Sequence, residues 1–324
     1  MTQISIALQT DKTPAEYVAL AQLIDRYDFD VVSVYCDAPF QPSYAPLLLM
    51  APHLKRARLG PAAVSPARIH PIDIASQTAL LAQLASGVYV GIARGAWLAD
   101  HGILEPSKPI QAIREAVGVV RYLLEGRSGG YAGEVFSLAP HIHAPYALPA
   151  QPIPILIGTW GRSLCALAGE IADEVKVGGT ANPDLIPVIR GYIGNERVGI
   201  CVGAVTVVDH DREKARAVAR RSVALYLPVV APLDPTVFVE PELIARLKWL
   251  VEQDDETSAS SLISDDLMDR FAFAGNSDDI IRQSERLFAA GASRIEFGTP
   301  QGVSSAKGIQ LLGEKVIPAL RRSH

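Results

Sequence analysis

Short stretches rich in polar residues and glycine follow the apolar, strand-like runs of this sequence, and they carry most of its candidate chemistry. Gly158-Thr159-Trp160-Gly161-Arg162 leaves one such run and begins a helical pattern, and Gly178-Gly179-Thr180 ends the next run. Backbone N–H groups at a helix N-terminus, at the positive end of the helix dipole, favour a phosphate group. The two loops predict an anion site, although glycine in such turns also serves turn geometry alone.

Other side chains that could act in chemistry follow the remaining runs. Asp37 could accept a hydrogen bond from a heterocycle or act as an acid or base, and it could equally cap a helix. Trp97 and Trp160 could stack on a planar ring or simply fill space. Further candidates at such positions are Gln9, Asp11, Cys36, Ser65, Arg68, Arg94, Asp209 and residues 298–301.

The histidines do not form a metal-binding pattern. His70 precedes Pro71 at the predicted start of a helix, where a structural role is favoured over a catalytic one. His141 and His143 lie in a proline-rich loop with no third ligand in view. We therefore predict no metal site.

Composition limits the class of protein. The 324 residues are 49% hydrophobic and 20% charged, which is typical of a globular, soluble chain. A net charge of −5 does not favour nucleic-acid binding, and no apolar run approaches the roughly 20 residues that span a bilayer. No signal peptide precedes the first strand-like run. Cys36, Cys165 and Cys201 are predicted to be buried thiols in a reducing compartment, so we expect a cytoplasmic protein.

Strand-like runs alternate with helical patterns along most of the chain. Eight strands, each followed by a helix, predict an α/β fold of the (β/α)8 TIM-barrel type, with its active site where the strands end. A doubly wound sheet is the main competitor, but no GxGxxG follows the first strand. The predicted strands are Ile4–Gln9, Val31–Tyr35, Leu59–Val64, Val88–Ala93, Ile153–Thr159, Glu174–Gly179, Val198–Val208 and Ser293–Gly298.

Two segments exceed a minimal barrel. Residues 126–152, with a predicted hairpin over Gly130–Phe136, follow strand 4 and its helix, and residues 228–270 follow strand 7 and its helix. Insertions of this kind form lids or binding loops, or surface and oligomer contacts. No sharp boundary divides the chain, so we expect one domain over residues 1–324.

Four segments in a conserved order resemble a known family. Leu59–Pro66 is followed by His70-Pro71, and Ala168–Asp173 matches "AGEIADG" except that Glu174 replaces the final glycine. Phe271–Asp279 and Phe297–Gly302 supply the later segments. Together they resemble the bacterial-luciferase-like monooxygenase superfamily, and within it the F420-dependent methylenetetrahydromethanopterin reductases.

This resemblance implies a barrel that holds a deazaflavin at the strand ends. A cis peptide between Ala62 and Ala63 would form a bulge behind the ring, Asp37 would lie near the cofactor as the catalytic residue, and Arg68, Arg94 and Trp97 would face the substrate. The cofactor-binding residues would be Ala62, Ala63, Val64, Ser65, Gly95, Thr159, Trp160, Gly161, Arg162, Gly178, Gly179 and Thr180.

The sequence departs from the reductases at three positions. Ala7 and Ala96 stand where those enzymes have carboxylates, and Ala38 stands where an Asp-His pair is common. Hydride transfer between F420 and a small carbon substrate is the first hypothesis. An FMN-dependent monooxygenase is the second, and a barrel that has lost catalysis and binds a partner is the third. The resemblance also implies a homodimer.

Overall fold

Parallel strands surround a common interior. The computed structural model describes residues 2–323. Its strands are β1 (Gln3–Leu8), β2 (Val31–Val34), β3 (Arg58–Pro61), β4 (Val90–Ala93), β5 (Ile155–Gly158), β6 (Glu174–Gly178), β7 (Gly199–Val208), β8 (Ala272–Gly275) and β9 (Arg294–Gly302).

The strands form a nearly closed barrel. The order of neighbours is β3-β2-β1-β9-β7-β6-β5-β4, and every pairing is parallel. Single bridges from Leu59 to Val88 and from Val64 to Ile92 bring the two end strands together. The prediction of a (β/α)8 barrel is confirmed, and the carboxyl ends of its strands meet at one end, hereafter the mouth.

Helices pack around the outside of the barrel. Several begin with a proline or with a capping side chain, as at Thr13, where a capping box with Glu16 precedes Pro14. Within residues 2–323, none of the helices is both long and apolar enough to cross a membrane. The helices are α1 (Pro14–Ile24), α2 (Tyr44–Met50), α3 (Pro71–Ala82), α4 (Pro109–Leu124), α5 (Arg162–Ile171), α6 (Leu185–Ile193), α7 (Arg212–Val230), α8 (Pro241–Glu252), α9 (Glu256–Ser261), α10 (Asp265–Phe271), α11 (Ser277–Ala289), α12 (Ser305–Leu311) and α13 (Ile317–Ser323).

Strand boundaries near the C-terminus differ from the prediction. The ninth strand, β8, was not predicted because four residues with a terminal glycine give no measurable alternation. It pairs with the outer part of β7 and lies off the barrel path. β9 runs four residues past its predicted end because it resumes pairing with β7 beyond a bulge, although Thr299-Pro300-Gln301-Gly302 has the composition of a turn.

Helix boundaries differ for similar reasons. α2 was predicted to reach Lys55, but it ends at Met50 and a short 3₁₀ turn carrying Pro52 follows. α7 was predicted to end at Tyr226, but it continues to Val230 with Pro228 inside it. The segment 228–270, which gave no predicted helix, contains α8, α9 and α10.

The segment 126–152 climbs along α4 toward the mouth. Glu115 on α4 accepts hydrogen bonds from the backbone N–H groups of Glu134, Val135 and Phe136 at 2.9, 2.7 and 2.8 Å. The predicted hairpin is reduced to one antiparallel bridge between Tyr131 and Leu138. One buried carboxylate therefore replaces the ladder that would otherwise hold this segment.

We expect Glu115→Gln to loosen this segment. An amide cannot accept at both terminal atoms, so at least one buried N–H group loses its partner, and the free energy of unfolding should fall by about 2 kcal/mol. Urea denaturation measures the loss, and amide exchange at residues 134–136 localises it. Glu125→Gln, at an exposed surface pair with Arg127, is the matched control and should change neither.

The same variant tests the pH dependence of stability. Burial would raise the pKa of Glu115, but the hydrogen bonds from Phe136, Gln111, Glu134 and Val135 hold it below its usual value. A lowered pKa stabilises the fold above the unfolded value, about 4.3, and this contribution is lost as the pH falls through the folded value. Wild type should therefore lose more stability between pH 6 and 3 than Glu115→Gln; equal losses would contradict this.

Candidate functional site

Small residues line a slot at the mouth. A Cβ atom placed on Gly158 would lie 3.2 Å from the Cβ of Ala93 and 3.7 Å from that of Ala63, so three strand ends converge here. The Ala62–Ala63 peptide is cis, as the resemblance implied. We call the space bordered by Ala62, Ala63, Ala93, Gly158 and Gly178, all partly exposed, the slot.

The loops after β5 and β6 meet at one side of the slot. The indole N–H of Trp160 donates to the carbonyl of Gly178 at 3.0 Å. Thr159 donates its backbone N–H to Lys176, also at 3.0 Å, and its Oγ1 accepts from the N–H of Gly161 at 3.0 Å. The structure thus brings the two predicted anion-binding loops together, with Gly161 capping α5 and Arg162 beginning it.

Other predicted cofactor residues already have partners. The hydroxyl of Thr180 is fully buried, donates to Arg270 at 3.3 Å and accepts from the N–H of Asn182 at 3.1 Å. Ser65 donates to the carbonyl of Arg94, and Val64 is fully buried in the core. These side chains shape the loops, and their contribution to ligand binding stays a prediction.

Asp37 lies at the ends of β1 and β2. Its Oδ2 accepts from Nε2 of Gln9 at 3.3 Å, and it is partly exposed at the mouth. It does not cap a helix, since α2 begins after Ser43. Of the two possibilities that the sequence left open for Asp37, the structural cap is therefore wrong, and an acid or base role is untested.

The predicted substrate residues lie at the ends of β3 and β4. Arg68 donates to the carbonyl of Cys36 at 2.6 Å. Arg94 is forked onto Glu105, at 2.6 and 2.7 Å. Next to it, Gly95 has a φ of 103°, and Trp97 has a φ of 53° with 45% of its surface exposed. Arg94 would have to leave Glu105 before it could pair with an acidic substrate.

The histidines and cysteines take structural places. Nδ1 of His70 accepts from the N–H of Ile72 at 3.2 Å and so caps α3, which is the structural role that the sequence favoured. No group of three or more His, Cys, Asp or Glu side chains within residues 2–323 is arranged to hold a metal ion. The cysteines are buried as predicted, and burial raises the pKa of the Cys165 thiol to about 12.

Sequence reasoning missed a charged floor beneath the slot. Lys176 on β6 is paired with Glu296 on β9, and their side chains are 8% and 0% exposed. Arg294 pairs with Glu174 through two hydrogen bonds, of 2.9 and 2.5 Å. Burial would raise the pKa of Glu296, but the charges of Lys176 and Arg294 and the hydrogen bonds from Lys176 and Ser33 hold it below its usual value. The floor is therefore ionised.

Sequence reasoning also missed the anchor between the segment 228–270 and the mouth. Asn182, fully buried, donates to Asp234 at 2.9 Å and to Thr236 at 2.8 Å, and it accepts from Arg270 at 3.2 Å. A buried amide with neighbours far apart in the chain gives no local sequence signal. This anchor fixes the segment beside Gly179 and Thr180.

A parallel (β/α)8 barrel with a ring-sized slot at its mouth defines a TIM-barrel protein of the cofactor-binding type. The family model for luciferase-like monooxygenases matches residues 1–294, and the chain belongs to this family.

The relatives are F420-dependent enzymes. A 5,10-methylenetetrahydromethanopterin reductase of Archaeoglobus fulgidus is 30% identical over 297 residues, which is 86% of this chain and 87% of the relative. An F420-dependent glucose-6-phosphate dehydrogenase of Nakamurella multipartita is 26% identical over 336 residues, 95% and 93% of the two chains. The solved F420-dependent tetrahydromethanopterin reductase from Methanopyrus kandleri superposes with a TM-score of 0.88, at 24% identity over 98% of this chain and 99% of its own.

We expect Asn182→Ala to release the segment 228–270. The change removes two donated hydrogen bonds and leaves the buried carboxylate of Asp234 with fewer partners, so the free energy of unfolding should fall by about 2–3 kcal/mol. Hydrogen exchange should accelerate within residues 228–270. Asn195→Ala is the control, because Asn195 bonds the carbonyl of Gly169 instead. Unchanged exchange in Asn182→Ala would show that other contacts hold the segment.

Proposed function

We propose that this protein is an F420-dependent oxidoreductase that transfers hydride between the deazaflavin and a small carbon substrate. The slot of small side chains carries the proposal, because Ala63, Ala93 and Gly158 leave room for a planar ring where larger residues would close it. Relatives named as F420-dependent reductases and dehydrogenases support the same cofactor. A one-carbon-loaded pterin, as in the reductases, is the substrate class that we favour.

The chain's own residues would bind and orient the cofactor. When bound, F420 supplies the hydride chemistry. Ala62, Ala63, Val64 and Ser65 would support the ring from one face, with Gly95 at the edge of the slot. The loops over 159–162 and 178–180 would hold the phosphate through backbone N–H groups at the start of α5.

Proton handling would fall to few groups. Asp37 is our candidate acid or base, because it is a partly exposed carboxylate at the mouth. Ala7 and Ala96 offer no proton where the reductases resembled by this chain have carboxylates. Arg68, Arg94 and Trp97 would contact the substrate.

A second candidate is an FMN-dependent monooxygenase, which the description of the matching family favours. The slot does not discriminate between two tricyclic rings of similar size. A barrel without catalysis is the third candidate, and the alanines at positions 7, 38 and 96 are the observation that favours it.

Cofactor titration separates these candidates. We expect purified protein to quench F420 fluorescence saturably at micromolar concentration, and Gly158→Val to weaken this binding at least about tenfold because the added methyl groups enter the slot. Selective binding of FMN would favour the monooxygenase. Binding of neither cofactor would favour the barrel without catalysis.

Gly87→Val is the matched control for this variant. Gly87 precedes β4 at the opposite end of the barrel, and a Cβ there would meet the side chain of Arg58 at an ordinary 3.6 Å. The control should bind F420 as wild type does. Equal losses in the two variants would mean that valine disturbs the barrel rather than the slot.

We also propose a cytoplasmic homodimer that associates through α2 and α3. The two helices lie side by side, linked by a 2.8 Å hydrogen bond between Tyr44 and Thr78. Ile72, Leu80 and Leu84 on and just after α3 are 38%, 53% and 47% exposed. A contiguous apolar face of this kind is typical of a protein interface.

We expect Leu80→Glu to convert the dimer to a monomer. The charge would have to be buried at the interface without a partner, which opposes association. Light scattering after gel filtration measures the mass. Leu104→Glu, at a leucine 90% exposed outside α2 and α3, should remain dimeric. A wild-type protein of monomer mass would refute the dimer itself.

A further inference from the structure

Lys176 and Glu296 form a buried ion pair that packing alone does not require. TIM-barrel interiors are usually filled by branched aliphatic side chains, and burying two charges costs free energy that their attraction only partly offsets. Glu296 also accepts a 2.5 Å hydrogen bond from Ser33. Perturbed, partnered ionisable groups beneath a cleft are frequent at functional sites.

The ammonium group faces the mouth. The positions above the pair on the three strands β6, β7 and β9 are Gly178, Gly203 and Gly298. A Cβ on Gly178 would meet only Cε of Lys176, at 4.0 Å, so open space borders the lysine on that side. No side chain from these three strand positions covers the lysine.

Tyr35 holds the ammonium group laterally. Nζ of Lys176 lies 5.1 Å from the centre of the Tyr35 ring, within the range of a cation–π contact. Tyr35 follows β2 and is partly exposed at the mouth. Burial, with the charges of Glu296 and Asp37, raises the pKa of Tyr35, so the phenol stays neutral and leaves the lysine as the cation.

We propose that the ammonium group of Lys176 contacts the edge of the bound deazaflavin ring that enters the barrel, and that Glu296 positions this group. The inference rests on the proposed function. One edge of a deazaflavin carries carbonyl and N–H groups, and its ionised form spreads negative charge over the ring. An ammonium group complements both. Lys176 thus selects the ionised ring.

Other charged and titratable groups surround the lysine, and they leave it the unbalanced cation toward the slot. Arg294 and Glu174 neutralise each other below the pair. Tyr89 on β4 and Cys201 on β7 face the same interior, and burial raises the pKa of each, to about 13 for both groups, so they are uncharged. Removing the lysine would leave Glu296 as the nearest charge to the ring.

The test compares Lys176→Gln with Lys176→Arg. Titration with F420 gives the dissociation constant, and absorbance against pH gives the pKa of the bound chromophore. We expect Lys176→Gln to weaken binding about tenfold and to raise the pKa of the bound chromophore by about one unit, which is the same factor of ten. Lys176→Arg keeps the cation and should stay within about threefold of wild type. Lys108→Gln, at an exposed lysine, is the control.

A double variant separates contact from folding. In Lys176→Gln, Nη1 of Arg294 lies 3.6 Å from Oε2 of Glu296 and can still balance the carboxylate. Lys176→Gln combined with Glu296→Gln removes both charges. Circular dichroism melting shows whether each variant is folded, and the folded double variant should bind F420 as weakly as Lys176→Gln.

Each result decides the proposal. Wild-type affinity and an unchanged chromophore pKa in Lys176→Gln, or wild-type affinity in the folded double variant, would overturn the contact and leave the proposed function intact. Absence of saturable F420 binding by the wild-type protein would overturn both.

Discussion

Two charge pairs inside the barrel reach across a strand, and the arrangement of the mouth depends on them. Lys176 and Glu174 lie on β6, and their partners Glu296 and Arg294 lie on β9, although β7 runs between these strands. The pairs can form because β7 presents small residues there: a Cβ on Gly203 would lie 3.2 Å from the Cβ of Glu296. The small residues of β7 are therefore as necessary to the floor as the charges themselves.

The floor and the slot divide the interior into layers. The charged layer at mid-height is closed to solvent, with Glu296 and Arg294 fully buried. Above it, glycine and alanine keep the strand ends open, and loops with internal hydrogen bonds, such as Trp160 to Gly178, form the rim. A rigid floor under an open slot is an arrangement that orients a planar ligand without needing to move.

The sequence predicted the barrel but not this layering. Strand alternation and the positions of the loops after β5 and β6 locate the mouth, because parallel strands must end together. The motif Glu-Val-Lys-Val in β6 and the motif Arg-Ile-Glu-Phe in β9 place charges at every second residue, which indicates a polar face. Which face points inward, and that the two strands pair their charges, depends on the register of strands more than a hundred residues apart. β8 and the anchor at Asn182 were missed for the same reason.

The alanines at positions 7, 38 and 96 gain a meaning beside the floor. Carboxylates there would add negative charge above Lys176 and would oppose an ionised ring. Their absence leaves the lysine and Asp37 as ionised groups on different sides of the mouth. A carbon that is already an electrophile accepts hydride without an acid beside it. The chain is therefore compatible with hydride transfer to such a carbon, in which binding and charge placement, rather than proton donation, do most of the catalytic work.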